Sequence, residues 1–343
     1  MKKHLFKILG IFMLSALFTG CSEKQAKTEI APKAETKTAT ALTPVRLGDL
    51  RSEFWLPIYV AQEKGYFKEQ GLDVEFIMFK DGPVELQSAL NGEIDFAVLS
   101  TEPILIAYEK GLKSTILMAT LKNKPFMLVS NKNIGTIEDL KGKKIAAGTP
   151  GSSPYAFICS ILKKHGLDPK KDVDLINMDY GASLVALERG QIQATFLDST
   201  RINQENISNI NVLVDTADPK THKDIYGTDK YEASVVVASQ AFLEKNKETT
   251  QKFSNAMLKA MKWQQESSDE EIAKVIQPYF ASLDMVDIIK LTRSSLSKDG
   301  TISKEGYQAM ENFALTEGLI KEKIPFEDII DLSFIEKAKD ETK

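Results

Sequence analysis

Pro57-Ile-Tyr-Val-Ala61-Gln-Glu-Lys-Gly65-Tyr66-Phe67-Lys-Glu-Gln-Gly71-Leu72-Asp73-Val74 is the stretch on which the fold turns. Pro57 suits a first helical turn, where its missing N–H leaves no bond unmade. Ile58, Ala61 and Phe67 then give an apolar set for burial along a helix over residues 57–69. Gly65 interrupts the pattern and marks a turn or a helix end. Past Gly71 the chain changes period and reads as a strand over residues 72–79.

The same alternation continues in both directions. Strands are predicted at 45–49, 94–99, 114–121 and 126–130, with helices at 84–90 and 103–110, the latter ended by Gly111. This rhythm implies an α/β sheet with helices on its faces. A second unit opens near Thr136, which with Asp139 fits a helix-capping pattern. It continues as strands at 143–147, 173–177, 194–197 and 212–214, with helices at 154–164 and 183–189. Ser234-Val-Val-Val-Ala-Ser239 is strongly β-prone and reads as a return to the first sheet.

The remainder reads as helical, over residues 242–265, 272–280, 285–296, 304–315 and 326–331. Leu243, Phe253, Ala256, Met257, Ala260 and Met261 form an amphipathic stripe, and its methionines read as core. No repeat of solenoid period is present.

The N-terminus carries a different signal. Lys2, Lys3 and Lys7 precede an apolar run from Ile8 to Phe18. That run is shorter than the about 20 apolar residues a membrane span needs, and it has the length of a signal-peptide core. Leu17-Phe18-Thr19-Gly20-Cys21 resembles a bacterial lipobox, which implies cleavage before Cys21 and a diacylglycerol on its thiol. Residues 1–20 are thus expected to be a lipoprotein signal peptide. Residues 21–43, rich in Lys, Glu, Thr and Ala, are expected to be a flexible linker.

Composition narrows the function. Cys21 and Cys159 are the only cysteines, so with Cys21 acylated no disulfide framework exists, and no zinc or redox CxxC motif is present. Cys159 lies among Phe157, Ile158 and Ile161 and reads as buried and inert. The formal net charge of -4, with both signs mixed, argues against a nucleic-acid partner.

Four stretches together resemble the SsuA/THI5-like substrate-binding proteins, which serve nitrate, taurine, alkanesulfonate and pyrimidine importers. They are the opening stretch, Ala89-Leu-Asn-Gly92-Glu-Ile-Asp95-Phe-Ala97, Ile137-Glu-Asp-Leu-Lys-Gly142-Lys-Lys-Ile-Ala146, and Ala186-Leu-Glu-Arg-Gly190-Gln-Ile-Gln193-Ala194. Gln193 stands where the family usually has Asp. The resemblance implies a type II periplasmic-binding-protein fold, two α/β lobes joined by two crossover segments. Lobe 1 is expected at 44–131 and 225–343, lobe 2 at 132–224. It also implies that the signature residues are structural, so none of them is a site candidate.

In such a binder, ligands meet loops at the C-terminal ends of strands and the helix N-termini that follow. Four loops qualify. The first offers Arg51, Ser52, Phe54 and Trp55, a charge, a hydroxyl and two aromatic walls. The second offers the hydroxyls of Ser100 and Thr101. The third is Gly148-Thr-Pro-Gly151-Ser152-Ser153-Pro-Tyr155, where Ser153 before Pro154 fits an N-cap and the N–H groups of Gly151 and Ser152 are candidates to face an anion. The fourth carries Asp198, placed for an amine or ring N–H. An anion site opposite Asp198 would suit a taurine-like zwitterion.

The expected function is capture of a small polar solute (nitrate, sulfonate, taurine or pyrimidine-like) outside the cytoplasm. The expected partners are an ABC permease with its ATPase and the membrane that the lipid anchors; the chain is expected to be monomeric and to need no cofactor or metal. One rival is a THI5-like pyrimidine synthase, which needs a suitably placed histidine. Only His4, His165 and His222 exist, all outside the pocket loops, and GxSxG, HExxH and P-loop spacings are absent. The other rival is a sensory or adhesion lipoprotein reusing the fold.

Overall fold

The described strands, in chain order, are β1 (Thr43–Asp49), β2 (Leu72–Met78), β3 (Ala97–Ser100), β4 (Ser114–Lys122), β5 (Phe126–Asn131), β6 (Lys144–Ala146), β7 (Asp174–Ile176), β8 (Ala194–Asp198), β9 (Ile210–Asp215) and β10 (Glu232–Ser239). The computed structural model describes residues 41–204 and 209–341. Residues 1–20, expected to be a signal peptide, Cys21 and nearly all of the expected linker therefore lie outside the described residues. All described residues fall in one compact unit, Thr40–Lys343.

Two sheets share one topology. In the first, β1 pairs with β2 in parallel and meets the segment entering β3 at the Leu47–Phe96 bridge, while β10 runs antiparallel between β3 and β4. The order is β2-β1-β3-β10-β4. In the second, the order is β7-β6-β8-β5-β9, with β5 antiparallel to both neighbours. Each sheet thus receives its one antiparallel strand from the chain arriving out of the other. The mixed α/β architecture read from the sequence is present, as two lobes joined by two crossover segments.

The first crossing lies earlier than expected. The lobe boundary read at 131 places β5 in lobe 1, but β5 pairs with β8 and β9 in the second sheet. Asn123 has φ 75°, and Pro125 has no N–H with which to continue the β4 ladder. Together they end one sheet and start the next at residues 123–125.

Helix bounds also shift where backbone conformation overrides apolar spacing. The helix read at 57–69 is two, Leu56–Glu63 and Tyr66–Glu69, parted by Gly65 at φ 74°. That left-handed value suits glycine and stops helix propagation. The helix read at 242–265 is likewise Gln240–Lys245 and Lys247–Glu266. Two polar helices escape the periodicity, Pro219–Tyr226 and Ser333–Glu341, because each buries only two side chains, His222 with Tyr226 and Ile335 with Ala338.

The opening stretch packs as its apolar positions require. Ile58, Ala61 and Leu72 are fully buried, and Phe67 stacks on Phe253 at 5.3 Å. Phe253 in turn stacks on Phe96 at 4.2 Å, so the C-terminal helix Lys247–Glu266 seals one face of the first sheet. Met257 and Met261 are wholly buried core, as read from their spacing. Lobe 2 has its own apolar cluster around Met127, Val129, Leu184, Leu187 and Leu197.

The two crossings lie side by side and are hydrogen-bonded together. Asn123 N donates to Tyr231 O at 2.7 Å, and Lys124 N donates to His222 Nε2 at 3.2 Å. His222 Nδ1 lies 2.8 Å from Thr228 O, so the imidazole is neutral with its proton on Nδ1. Burial lowers its pKa and keeps it so. Thr216 Oγ1 accepts from Phe126 N at 2.9 Å and closes the stitch.

Candidate functional site

A cleft of about 480 Å³ lies between the lobes, walled by both of them and floored by the first crossing. The loops at strand ends supply its walls, as the topology requires. After β1, Ser52 caps the turn by accepting from Phe54 N at 3.2 Å. Arg51 sits at φ 53°, held there by its N–H donating to the buried Asp49 Oδ1 at 2.7 Å. Its guanidinium pairs with Asp49 at 3.3 Å and lies 5.1 Å from the Tyr279 ring centroid. Burial raises the Asp49 carboxyl above its ordinary value, and bonds from Tyr59 and Arg51 partly offset this.

Trp55 is only 7% exposed, yet it lines the cleft, and its indole N–H donates to Ser234 Oγ on β10. Phe54 lies 6.4 Å from Phe126, Phe126 lies 5.9 Å from Phe196, and Phe196 lies 5.4 Å from Tyr180, centroid to centroid. The rings therefore run without a break from lobe 1, over the crossing, into lobe 2.

Three of the polar links between the lobes lie at the cleft. Glu53, in lobe 1, is fully buried and accepts from Arg201 Nη2 at 2.6 Å and from Thr200 Oγ1 at 2.6 Å, both in lobe 2. Burial pushes the Glu53 carboxyl up, but the Arg201 charge and these bonds outweigh it and hold the pKa below the usual value. Asp81 Oδ2 accepts from Thr149 Oγ1 at 2.7 Å. On the cleft floor the Lys124 ammonium pairs with Glu102 of lobe 1 and donates to Ser153 Oγ of lobe 2 at 2.6 Å. Burial lowers the Lys124 pKa, opposed by Glu102.

Of the residues read from the sequence, Arg51, Ser52, Phe54, Trp55, Ser100, Ser152, Ser153 and Asp198 come together on this cleft. Thr101, Gly151 and Tyr155 do not line it. Thr101 is fully buried behind Ser100. Gly151 serves a turn at φ 90°, and Tyr155 bonds along its own helix to Cys159. The N-cap of helix Ser153–Lys164 is Ser152, whose Oγ accepts from Tyr155 N, and not Ser153. Ser152 N–H donates to Thr149 O at 2.9 Å, so it is not free to face an anion.

Sequence reasoning missed Lys80, Asp81, Thr149, Tyr180 and Arg201 on the walls, Lys124 and Phe126 at the first crossing, and Ser234 on β10. Lys80 and Asp81 follow β2 and Tyr180 follows β7, so the strand-end rule would have found them had it been applied to every loop. Thr149 lies inside a loop already singled out. Lys124 carried no such signal, because a lysine before a proline between two strands reads as a solvated turn. Among the described residues no cluster of His, Cys, Asp or Glu is arranged for a metal ion. No described helix is long and apolar enough to cross a membrane.

A family model described as NMT1/THI5 like matches residues 54–271, which hold both crossings and most of the cleft. The chain belongs to that family. Members' sequences diverge widely around the shared fold. YtlA of Bacillus subtilis is 26% identical over 90% of this chain and 93% of its own. The formylaminopyrimidine-binding protein of Halalkalibacterium halodurans is 26% identical over 78% of this chain and 77% of its own. Among solved structures, the alkanesulfonate-binding protein SsuA from Xanthomonas axonopodis pv. citri, bound to MOPS, superposes with a TM-score of 0.68 at 15% identity, covering 86% of this chain and all of that one. NMT1/THI5-like membership and this superposition agree with the type II periplasmic-binding-protein fold.

Proposed function

We propose that the chain is the extracytoplasmic solute-binding component of an ABC importer, closing its two lobes on a small polar molecule and presenting it to a permease and its ATPase. The observation that carries this is the origin of the cleft walls. Neither lobe encloses the cavity alone, and Glu53–Arg201 and Asp81–Thr149 tie the lobes together across it. A solute touching both walls favours the closed state by its differential affinity, which is the conformational signal a permease needs.

Anchoring through a lipid on Cys21 would hold a monomer at the outer face of the cell membrane. The solute range of nitrate, sulfonates, taurine and pyrimidine-like molecules is supported by the printed specificities of relatives, which include both an alkanesulfonate and a formylaminopyrimidine. Capture without catalysis is supported by the placement of His222 and Cys159 away from the cleft walls. His222 is fixed in a crossing, and burial pushes the Cys159 thiol up to about 11, where it is not a nucleophile.

Mass spectrometry of small molecules released from gently purified full-length protein tests capture. One solute at near-equal molar amount should appear. Recovery of the solute chemically altered, or turnover of it on incubation, would favour an enzyme.

A further inference from the structure

If the cleft captures a solute, its charges narrow the class of that solute. The three cations set into the walls are already matched: Lys124 by Glu102, Arg201 by Glu53 and Arg51 by Asp49. In each pair the carboxylate is the more deeply buried partner, with side-chain exposures of 1%, 0% and 0% against 2%, 12% and 34%. The protein therefore matches each of these cations with a carboxylate of its own, for Arg201 one that comes from the facing lobe.

Of the remaining charged wall residues, Lys80 and Asp179 are exposed, whereas Asp81 and Asp198 are half-buried carboxylates. Asp81 is spent on Val84 N and Thr149, and Asp198 lies 3.9 Å from Arg201 Nε. Asp179 precedes helix Tyr180–Glu188 and makes no capping bond to it. An oxyanion entering this cleft would shed water and meet carboxylates, with no unmatched buried cation among the described residues to receive it. The aromatic run from Phe54 to Tyr180, beside Trp55, offers instead the faces that attract flat rings and cations.

We propose that the cleft takes a flat, nitrogen-bearing ring compound that is neutral or cationic, and that Glu53 stands on Arg201 where the anionic group of another ligand would sit. Glu53 is then a specificity-determining residue. Its carboxylate closes the lobes onto Arg201 and excludes an acidic solute by the same contact. The solute's N–H edge meets Asp179 and Asp198, and its face meets the rings.

The test titrates solute-stripped full-length protein with nicotinamide, benzamidine, nicotinate, methanesulfonate, taurine and nitrate, read by calorimetry and melting temperature, alongside identification of the solute released on stripping. Nicotinamide or benzamidine should stabilise, and nicotinate, the same ring bearing a carboxylate, should bind at least tenfold more weakly than nicotinamide. Methanesulfonate, taurine and nitrate should give no shift. Glu53→Gln frees Arg201 and should raise affinity for nicotinate at least tenfold; the wild-type panel decides the matter even if that variant does not fold. Tighter binding of the wild type to any of the oxyanions than to the neutral and cationic rings would overturn the class while leaving solute capture standing. If no probe binds, the released solute decides: a neutral or cationic ring supports the class and an anion overturns it. If no solute is released either, capture itself fails, and the class falls with it.

Discussion

Glu53 Oε2 accepts from Arg201 Nε at 3.0 Å and from Arg201 Nη2 at 2.6 Å, joining the loop after β1 to the loop after β8 across the cleft. The two residues are far apart in sequence and belong to different sheets, so their pair exists only when the lobes meet. Arg201 also lies 5.5 Å from the Tyr180 ring, which ties the pair to the aromatic wall. Losing either partner would leave a desolvated charge behind.

Arg201→Met should therefore destabilise the closed form by about 3–5 kcal/mol, the usual cost of stranding a buried charge. Denaturant unfolding at neutral pH reads it. The pH dependence has a definite sign. Glu53 has a folded-state pKa below the ordinary 4.5, so its contribution is complete above that value and is lost as the pH falls through the folded value. The stability gap between wild type and Glu53→Gln should stay constant from about pH 8 to pH 5 and shrink only in stronger acid. A gap that closes near neutrality would contradict the pairing.

Lys124→Met should cost a similar amount, about 3–5 kcal/mol, by leaving Glu102 charged and buried on the cleft floor. Adding Glu102→Gln to the same chain should recover most of it. Urea midpoints of the single and double variants give the comparison. A double variant no more stable than Lys124→Met would mean that loss of Lys124 does not strand Glu102.

Glu85 makes the opposite acid case. Its side chain is fully buried behind β1, close to Gly48, with Oε1 accepting from Val98 N at 2.8 Å. Burial holds its pKa well above 4.5, so the protonated form is the one the fold keeps. A raised acid contributes stability below its unfolded pKa and loses it as the pH rises through the folded value. Glu85→Gln should therefore flatten the alkaline side of the stability curve. Unfolding free energies followed upward from pH 4.5 show it, and an unchanged slope would mean that Glu85 is ionised in the fold.

The opening stretch was legible because its apolar positions and its two glycines dictate helix, turn and strand from local chemistry alone. Phe67 and Leu72 pack where their spacing puts them. The wall residues Arg51, Trp55, Ser100 and Asp198 were legible for a related reason: strand ends point at the cleft in any doubly layered α/β lobe. Strand pairing was less legible. Nothing in Phe126–Asn131 states which sheet it joins; that follows from the crossing at Asn123 and Pro125, a tertiary fact. The pairing of Glu53 with Arg201 is of the same kind, since it depends on how two lobes meet. Ser152 and Ser153 show the limit at single-residue scale, because either serine before Pro154 fits a cap until the turn geometry is known.

Cys21→Ala should release the chain from the membrane fraction and abolish incorporation of labelled lipid, with the fold over residues 41–341 unchanged. Fractionation followed by immunoblotting checks this. An unaltered membrane-bound fraction would show that Cys21 is not the anchor.

Interlobe distance is the most direct measurement of all. Val84 and Val185, 38% and 46% exposed, sit on helices that begin at the cleft from lobe 1 and lobe 2. Spin labels on Val84→Cys and Val185→Cys, in protein stripped of its solute, should give a broad distance distribution that narrows to one short distance when the released solute is returned. Identical distributions with and without the solute would mean that the lobes do not close on it.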